Sequence, residues 1–254
     1  MILTIDIGNS TIVLGGVEGS EIPFECRINT DRVKTSDTYC IDLKTLFEIY
    51  GVELERIEGV IISSVVPQVL NSVRTAIRKL LKLEPLVVGP GLKTGLNIRL
   101  ENPAQMGADL VAADVAALRE HKPPLIVIDL GTATTMSVID PEGAHMGGCV
   151  CPGVKIGLDA LTARTSLLPG IQLDSPKQAV GRNTADAMRS GIMYGTAAML
   201  DGMIDRFREE TGWDFTIVAT GGLAKRIAPL CRHEVIVDRH LLIKGLAALY
   251  RDNT

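Results

Sequence analysis

The chain has 254 residues, of which 46% are apolar, and its 26 basic and 30 acidic side chains leave a formal net charge of −4. This length and apolar content suffice for one large hydrophobic core or two smaller ones. The nearly balanced charge, without a cluster of basic residues, argues against a nucleic-acid partner. The longest apolar stretches are too short or too charged to span a membrane.

The cysteines and histidines argue against a disulfide framework and against a structural metal site. Five cysteines are scattered along the chain, an odd number that is typical of reduced thiols in a cytoplasmic protein. Cys149 and Cys151 are too close for a usual zinc half-site, and the four histidines are dispersed. Asp6 interrupts the first apolar run too early for a signal peptide. We therefore expect a cytoplasmic protein.

In the first half of the chain, apolar and alternating runs predict strands over residues 1–5, 12–14, 22–28, 59–66 and 86–88. Helical spacing of apolar residues predicts helices over 37–50, 67–82 and 102–121. Gly51 marks the end of the first helix, Pro67 opens the second, and Asn102 caps the third. The predicted order of elements is β-β-β-α-β-α-β-α.

The second half repeats this order. Strands are predicted near Leu125, Thr135 and Ala144, then over 215–219 and 234–237, and helices over 183–211, after Gly222, and over 240–250. Residues 152–180 form an inserted stretch. Because one order occurs twice, we predict an α/β protein of two duplicated domains, residues 1–121 and 122–254.

Each half begins with an acidic hairpin. Asp6 and Gly8 follow the first apolar run, and Asp129 and Gly131 follow the equivalent run at an offset of 123 residues, which also aligns Thr11 with Thr134. Glycine permits a sharp turn and a close ligand, while free N–H groups and hydroxyls can donate to phosphate oxygens. Either hairpin alone could be an ordinary tight turn held by its aspartate. The duplication at equivalent positions favours a shared function.

The pattern predicts a nucleotide site of an uncommon kind. The chain contains neither a P-loop nor the glycine-rich fingerprint of a Rossmann fold, so phosphate would be bound by the two hairpins, with a cation between the carboxylates. A third glycine turn, over residues 219–224, joins a strand to a helix and could contact a nucleoside, although such a turn often needs glycine for packing alone.

These three motifs resemble those of the acetate and sugar kinase, heat-shock chaperone and actin superfamily, whose domains have an actin-like (ribonuclease H-like) fold. Over essentially the whole chain, the sequence is most similar to the type III pantothenate kinases. The matching stretches begin at Asp6, Gly107, Asp129, Gly147 and Gly181 and include Gly107-Ala-Asp109 and Gly147-Gly-Cys-Val-Cys-Pro-Gly153.

The resemblance implies transfer of the γ-phosphoryl group of ATP to the primary hydroxyl of pantothenate, the first step of coenzyme A biosynthesis. It implies a homodimer, Mg²⁺ with the ATP, and a monovalent cation (K⁺ or NH₄⁺) at Asp129, with Asp6 near the Mg²⁺-phosphate. The implied ATP-binding residues are Asp6, Ile7, Gly8, Asn9, Ser10, Thr11, Ile12, Val13 and Thr132. The implied substrate-binding residues are Leu100, Gly107, Ala108, Asp109, Leu110 and Thr184.

Asp109 corresponds to the general base of the family. Its small neighbours on the predicted helix would permit close approach of a substrate hydroxyl. From the residues alone, a solvated helix position is the simpler interpretation. Thr184 corresponds to a residue that reaches pantothenate in the second subunit's site, but Asn183 or Thr184 could equally cap the long helix.

Two positions depart from the family pattern. Leu110 replaces the arginine of a usual Gly-Ala-Asp-Arg motif, and Leu100 replaces a tyrosine two positions before Asn102. Because both missing groups belong to the substrate pocket, the alternatives are a kinase of the same fold for another small hydroxyl compound, or a nucleotide-binding regulatory protein without turnover.

Overall fold

The structure, a computed structural model, describes all residues from 1 to 254. The first elements are β1 (Ile2–Ile7), β2 (Thr11–Glu18), β3 (Glu21–Asn29), α1 (Ser36–Ile49), β4 (Gly59–Ser64), α2 (Pro67–Leu81), β5 (Leu86–Val87) and α3 (Ala108–Glu120). Then follow β6 (Leu125–Leu130), β7 (Ala133–Ile139), β8 (His145–Pro152), α4 (Val154–Arg164), α5 (Thr184–Thr211), β9 (Thr216–Thr220), α6 (Ala224–Ile227), β10 (Ile236–Val237) and α7 (Leu241–Asp252).

Two five-stranded mixed sheets share one topology. The strand order is β3-β2-β1-β4-β5 in the first and, read in the matching direction, β8-β7-β6-β9-β10 in the second. The central strand of each sheet, β1 or β6, is antiparallel to the next strand in sequence and parallel to a later one. This repeated arrangement confirms the predicted α/β fold class.

The first sheet is covered on both faces. Alternate residues of β1 (Leu3, Ile5 and Ile7) pack into a core with α1 and α2. The opposite face meets α7, where Ile243 and Ala247 join Val17. Asp6 alternates with the core residues, so its side chain belongs to the α7 face of the sheet.

The second sheet has an equivalent core. Ile126, Ile128 and Leu130 of β6 pack with residues of α5 and α6 such as Met193 and Ile227. Asp129 alternates with these residues and therefore lies on the other face, as Asp6 does in the first sheet.

The chain divides into two compact units. The first comprises Met1–Leu96, Glu101–Ala116 and His240–Thr254, and the second comprises Asn97–Leu100 and Ala117–Arg239. The division into residues 1–121 and 122–254 stays our prediction for the duplicated sequence. The compact units differ from these halves mainly because α7, the last helix in sequence, packs on the first sheet.

The inserted stretch 152–180, for which no element is predicted, contains a helix, α4, which opens after Gly153. One local expectation is corrected. Asn102 caps only a short 3₁₀ turn, Pro103–Gln105, where the Asn102 side-chain oxygen accepts the Ala104 N–H. Helix α3 begins later, at Ala108. No helix combines the length and the apolar character that a membrane span requires.

Candidate active site

The first hairpin presents Asp6 at the carboxyl end of β1. Asp6 lies opposite Val13 of β2 on one side and Ser63 of β4 on the other. The Ser63 hydroxyl donates to Asp6 Oδ1 over 2.6 Å, and Ser63 is fully buried. A hydrogen bond to a charged carboxylate is among the stronger polar contacts in proteins, so Ser63 orients the Asp6 side chain.

The turn after β1 is held by a hydrogen bond within it and by one from Thr30, the residue that follows β3. The Gly8 N–H donates to the Thr11 carbonyl at 3.0 Å, and the Thr30 hydroxyl donates to the Gly8 carbonyl at 2.7 Å. Asn9 and Ser10 are exposed at the tip, where their polar groups can meet a ligand. Ile7 and Ile12 are core residues, so only their backbone can contact a nucleotide.

The second hairpin resembles the first but is one residue tighter. The Gly131 N–H donates to the Ala133 carbonyl at 3.1 Å, and Thr134 pairs with Leu130 in the register. In the first hairpin, the position equivalent to Thr134 is occupied by Ile12, which pairs with Ile7. The sequence alignment of Thr11 with Thr134 is therefore wrong, while Asp6 with Asp129 and Gly8 with Gly131 remain equivalent. Thr132 is exposed at the tip, as a ligand contact requires.

Asp129 has a threonine opposite it on each neighbouring strand. It lies opposite Thr135 on β7 and Thr220 on β9, and register partners share one face of a sheet. The Thr135 hydroxyl is buried and has no hydrogen-bond partner. A buried hydroxyl of this kind usually has a partner, and carboxylate and hydroxyl oxygens are suitable ligands for hard cations. The residues present thus fit a cation beside Asp129.

Asp109 lies in the first turn of α3. Its Oδ1 accepts the Leu110 N–H at 2.9 Å, which holds the carboxylate at the start of the helix. The following alanines, Ala112, Ala113 and Ala116, are buried. Gly107, Ala108, Asp109 and Leu110 are all half-buried, so this turn is a surface that a small ligand can reach.

The remaining predicted substrate residues belong to the second unit. Leu100 is half-buried, and its Cδ2 lies 3.6 Å from where a Cβ on Gly147 would be. Thr184 is the first residue of α5 and is exposed, while Asn183 caps the helix by accepting the Asp186 N–H at 2.8 Å. The cap is therefore formed by Asn183, and the Thr184 side chain is left for another role.

The predicted residues are divided between the two units. The first unit contains the hairpin of residues 6–13 and the turn of residues 107–110, and the second contains Leu100, Asp129, Thr132 and Thr184. Sequence reasoning missed Ser63 and Thr135. Ser63 could have been noticed as a hydroxyl within an otherwise apolar strand, whereas the role of Thr135 depends on the strand register.

The Cys149 thiol of β8 is a poor nucleophile. Cys149 and Cys151 point to the same face of the strand, since they are two residues apart. Burial and the neighbouring Cys151 raise the pKa of Cys149 to about 11. The Cys149 thiol is therefore protonated at neutral pH, and a protonated thiol is a poor nucleophile.

Comparison with solved structures gives the same fold. A putative Baf family transcriptional activator from Campylobacter jejuni matches with a TM-score of 0.63 and 19% identity, covering 99% of this chain and 98% of that one. The (R)-2-hydroxyglutaryl-CoA dehydratase component A of Acidaminococcus fermentans matches with a TM-score of 0.58 and 13% identity, covering 98% and 96%. At these identities the matches establish the fold alone, and they agree with two actin-like domains.

Sequence comparison is more specific. The family model described as type III pantothenate kinase matches residues 2–206. A type III pantothenate kinase from Exiguobacterium sp. is 43% identical over 253 residues, which cover 100% of this chain and 99% of that protein. A match of this extent includes both hairpins and the turn at Asp109, and it makes the chain a phosphotransferase. The chain belongs to the type III pantothenate kinase family.

Proposed function

We propose that the protein transfers the γ-phosphoryl group of ATP to the primary hydroxyl of pantothenate, which is the first step of coenzyme A biosynthesis. The observation that carries this proposal is the full-length 43% identity to a type III pantothenate kinase. The two acidic hairpins, at equivalent places in two sheets of one topology, support it.

ATP would be bound by the backbone N–H groups and hydroxyls of residues 6–13 and by Thr132. The exposed tips of both hairpins support this assignment, because phosphate oxygens need donors that solvent can reach. Asp6, oriented by Ser63, would take part in holding Mg²⁺ beside the phosphates. Mg²⁺ is commonly held by one or two carboxylates together with substrate phosphates.

Asp109 would act as the general base that accepts the proton of the pantothenate hydroxyl. Phosphoryl transfer depends chiefly on positioning and on charge neutralisation, with a residue to orient or accept the nucleophile's proton. The bond from the Leu110 N–H supports this role, because it fixes one carboxylate oxygen and leaves the other to meet a substrate.

Asp129 and Thr135 would hold a monovalent cation, K⁺ or NH₄⁺, whose charge offsets that of the nearby phosphates. Pantothenate would contact Leu100, Gly107, Ala108, Leu110 and Thr184.

We also propose a homodimer, because exposed small residues line one side of α5, namely Ala187, Gly191, Gly195 and Ala198. The cytoplasmic location stays a prediction, supported by five free cysteines.

The testing experiment measures ADP release from ATP and Mg²⁺, with and without pantothenate, in K⁺ buffer and then in Na⁺ buffer at equal ionic strength. We expect turnover that requires pantothenate and is faster in K⁺. Nucleotide binding without pantothenate-dependent turnover would contradict the proposal. Leu100 and Leu110 would then mark a different small hydroxyl substrate, and a panel of such compounds would be assayed next.

A further inference from the structure

The Asp129 carboxylate lies close to two glycines of the second unit, and we call the space that they leave for it the slot. The first is Gly221, which follows β9 with a φ of +96°, a conformation that favours glycine. A Cβ added there would lie 2.5 Å from Asp129 Oδ1 and 2.6 Å from the Leu130 carbonyl carbon. Only a residue without a side chain therefore fits against the carboxylate at this position.

Gly131 is the second glycine of the slot. A Cβ added there would lie 3.3 Å from Asp129 Oδ2 and 3.4 Å from Oδ1, which is tighter than most real contacts. The φ of Gly131 lies outside the left-handed region, so the backbone itself would accept a side chain. The close neighbour that an added methyl would press on is the carboxylate.

The same slot is absent from the first hairpin. A Cβ added to Gly8 would lie 3.1 Å from the Thr11 carbonyl and near no carboxylate. Asp6 accepts a hydrogen bond from the hydroxyl of Ser63. The two aspartates occupy equivalent strand positions, but glycine positions lie close against the carboxylate only at Asp129.

We propose that Gly131 and Gly221 are positioning residues that fix the Asp129 carboxylate and thereby set which monovalent cation the enzyme prefers. The inference rests on the proposed function, in which a cation is bound at Asp129. Cation selectivity depends on the spacing and field strength of the oxygen ligands. A slot that holds both carboxylate oxygens fixes that spacing, with the buried Thr135 hydroxyl opposite.

The test uses Gly131→Ala, whose methyl group needs the carboxylate to move by only a few tenths of an ångström. Gly8→Ala is the matched control, since it makes the same change in the other hairpin. The first measurement is the rise in Tm as K⁺, NH₄⁺ or Na⁺ replaces choline at constant ionic strength, because a ligand that binds the native state raises Tm. The second is turnover with each cation at saturating substrates.

In the wild type we expect K⁺ and NH₄⁺ to raise Tm more than Na⁺ does. Gly131→Ala should fold, and the K⁺ concentration for half-maximal effect should rise about tenfold, because small displacements in a binding site have large effects. Its preference for K⁺ over Na⁺ should fall in both measurements. Gly8→Ala should change the KM for ATP while its preference among the cations stays that of the wild type.

The outcomes separate two failures. If the wild type responds to cations and Gly131→Ala keeps the wild-type preference, the slot does not set cation choice and this inference alone is overturned. If the wild type shows no cation-dependent Tm or turnover, the cation site of the proposed function fails, and the inference fails with it. Gly221 is left unchanged in the test, because a Cβ there would also press on the backbone of Leu130.

Discussion

Asp109 lies in the first turn of α3, with one carboxylate oxygen bound to the Leu110 N–H. If the carboxylate accepts the substrate proton, Asp109→Asn removes that function without changing the shape of the side chain. We expect kcat to fall by about 10²–10⁴-fold, the usual contribution of general acid–base catalysis. ATP affinity, measured by calorimetric titration, should stay unchanged because the hairpins are intact.

Asp37→Asn is the matched control for this prediction. Asp37 is also an acidic residue in the first turn of a helix of the first unit, and its carboxylate is paired with Lys79 at the surface. An exposed ion pair contributes little to stability, so kcat should match that of the wild type. If Asp109→Asn turned over at the rate of Asp37→Asn, Asp109 could not be the base.

At the residue scale, the sequence identifies the candidate functional side chains more successfully than it predicts the contacts that orient them. The equivalence of Asp6 with Asp129 is visible in the sequence because both follow an apolar strand and precede a glycine. The register of each hairpin is not visible in the sequence. The second turn is one residue shorter, and this places Thr134 on the core face of the sheet. The contact of Ser63 with Asp6 joins residues 57 apart, which no local pattern reveals.

At the element scale, α3 approaches α7 at a glycine. A Cβ added to Gly245 of α7 would lie 2.6 Å from the Ala112 carbonyl carbon of α3. Gly245→Ala should therefore separate two helices of the first unit, although alanine is the better helix former. We expect a loss of about 1–3 kcal/mol, as for other overpacked cores, and hence a lower Tm by calorimetry.

Gly157→Ala in α4 is the control for that comparison. Its added Cβ would make an ordinary contact with Ile192 at 3.8 Å, so only the gain in helix propensity remains. A gain of roughly 0.5–1 kcal/mol is expected for this variant. Equal and favourable shifts of Tm in both variants would show that α3 and α7 are not closely packed at Gly245.

The element order follows from the sequence because strand and helix periodicities are strong where a core is built. The sequence gives little indication of α4 because few of its residues face a core, with Val154 and Leu158 the only buried ones. A helix with so short an apolar stripe has little periodic signal. The beginning of α3 was misplaced for a related reason, since Asn102 and Pro103 form a valid capping pair that serves a 3₁₀ turn instead.

At the scale of the whole molecule, the duplication accounts for two hairpins but not for the placement of the last helix. α7 is the final element of the second sequence half, yet it packs on the first sheet, against β1, β2 and β4. Periodicity identifies its apolar face and cannot say which sheet that face covers. The compact units therefore contain segments that are distant in sequence, and their bounds could not be predicted from the repeat.

The proposed homodimer predicts that a large side chain on the exposed face of α5 separates the subunits. Gly195 is exposed on α5, and no atom lies within 4 Å of an added Cβ, so the fold of a single subunit has room for a long side chain. Small residues let two helices approach closely, and an arginine would prevent that approach. Gly195→Arg should therefore yield a monomer in sedimentation experiments. Because Thr184 would then be withdrawn from the second subunit's site, the KM for pantothenate should rise while ATP affinity is kept.

Gly170→Arg is the control, because it is an equally unobstructed change in a loop, and this variant should remain a dimer with the wild-type KM for pantothenate. If Gly195→Arg were also a dimer, this face of α5 could not be the interface.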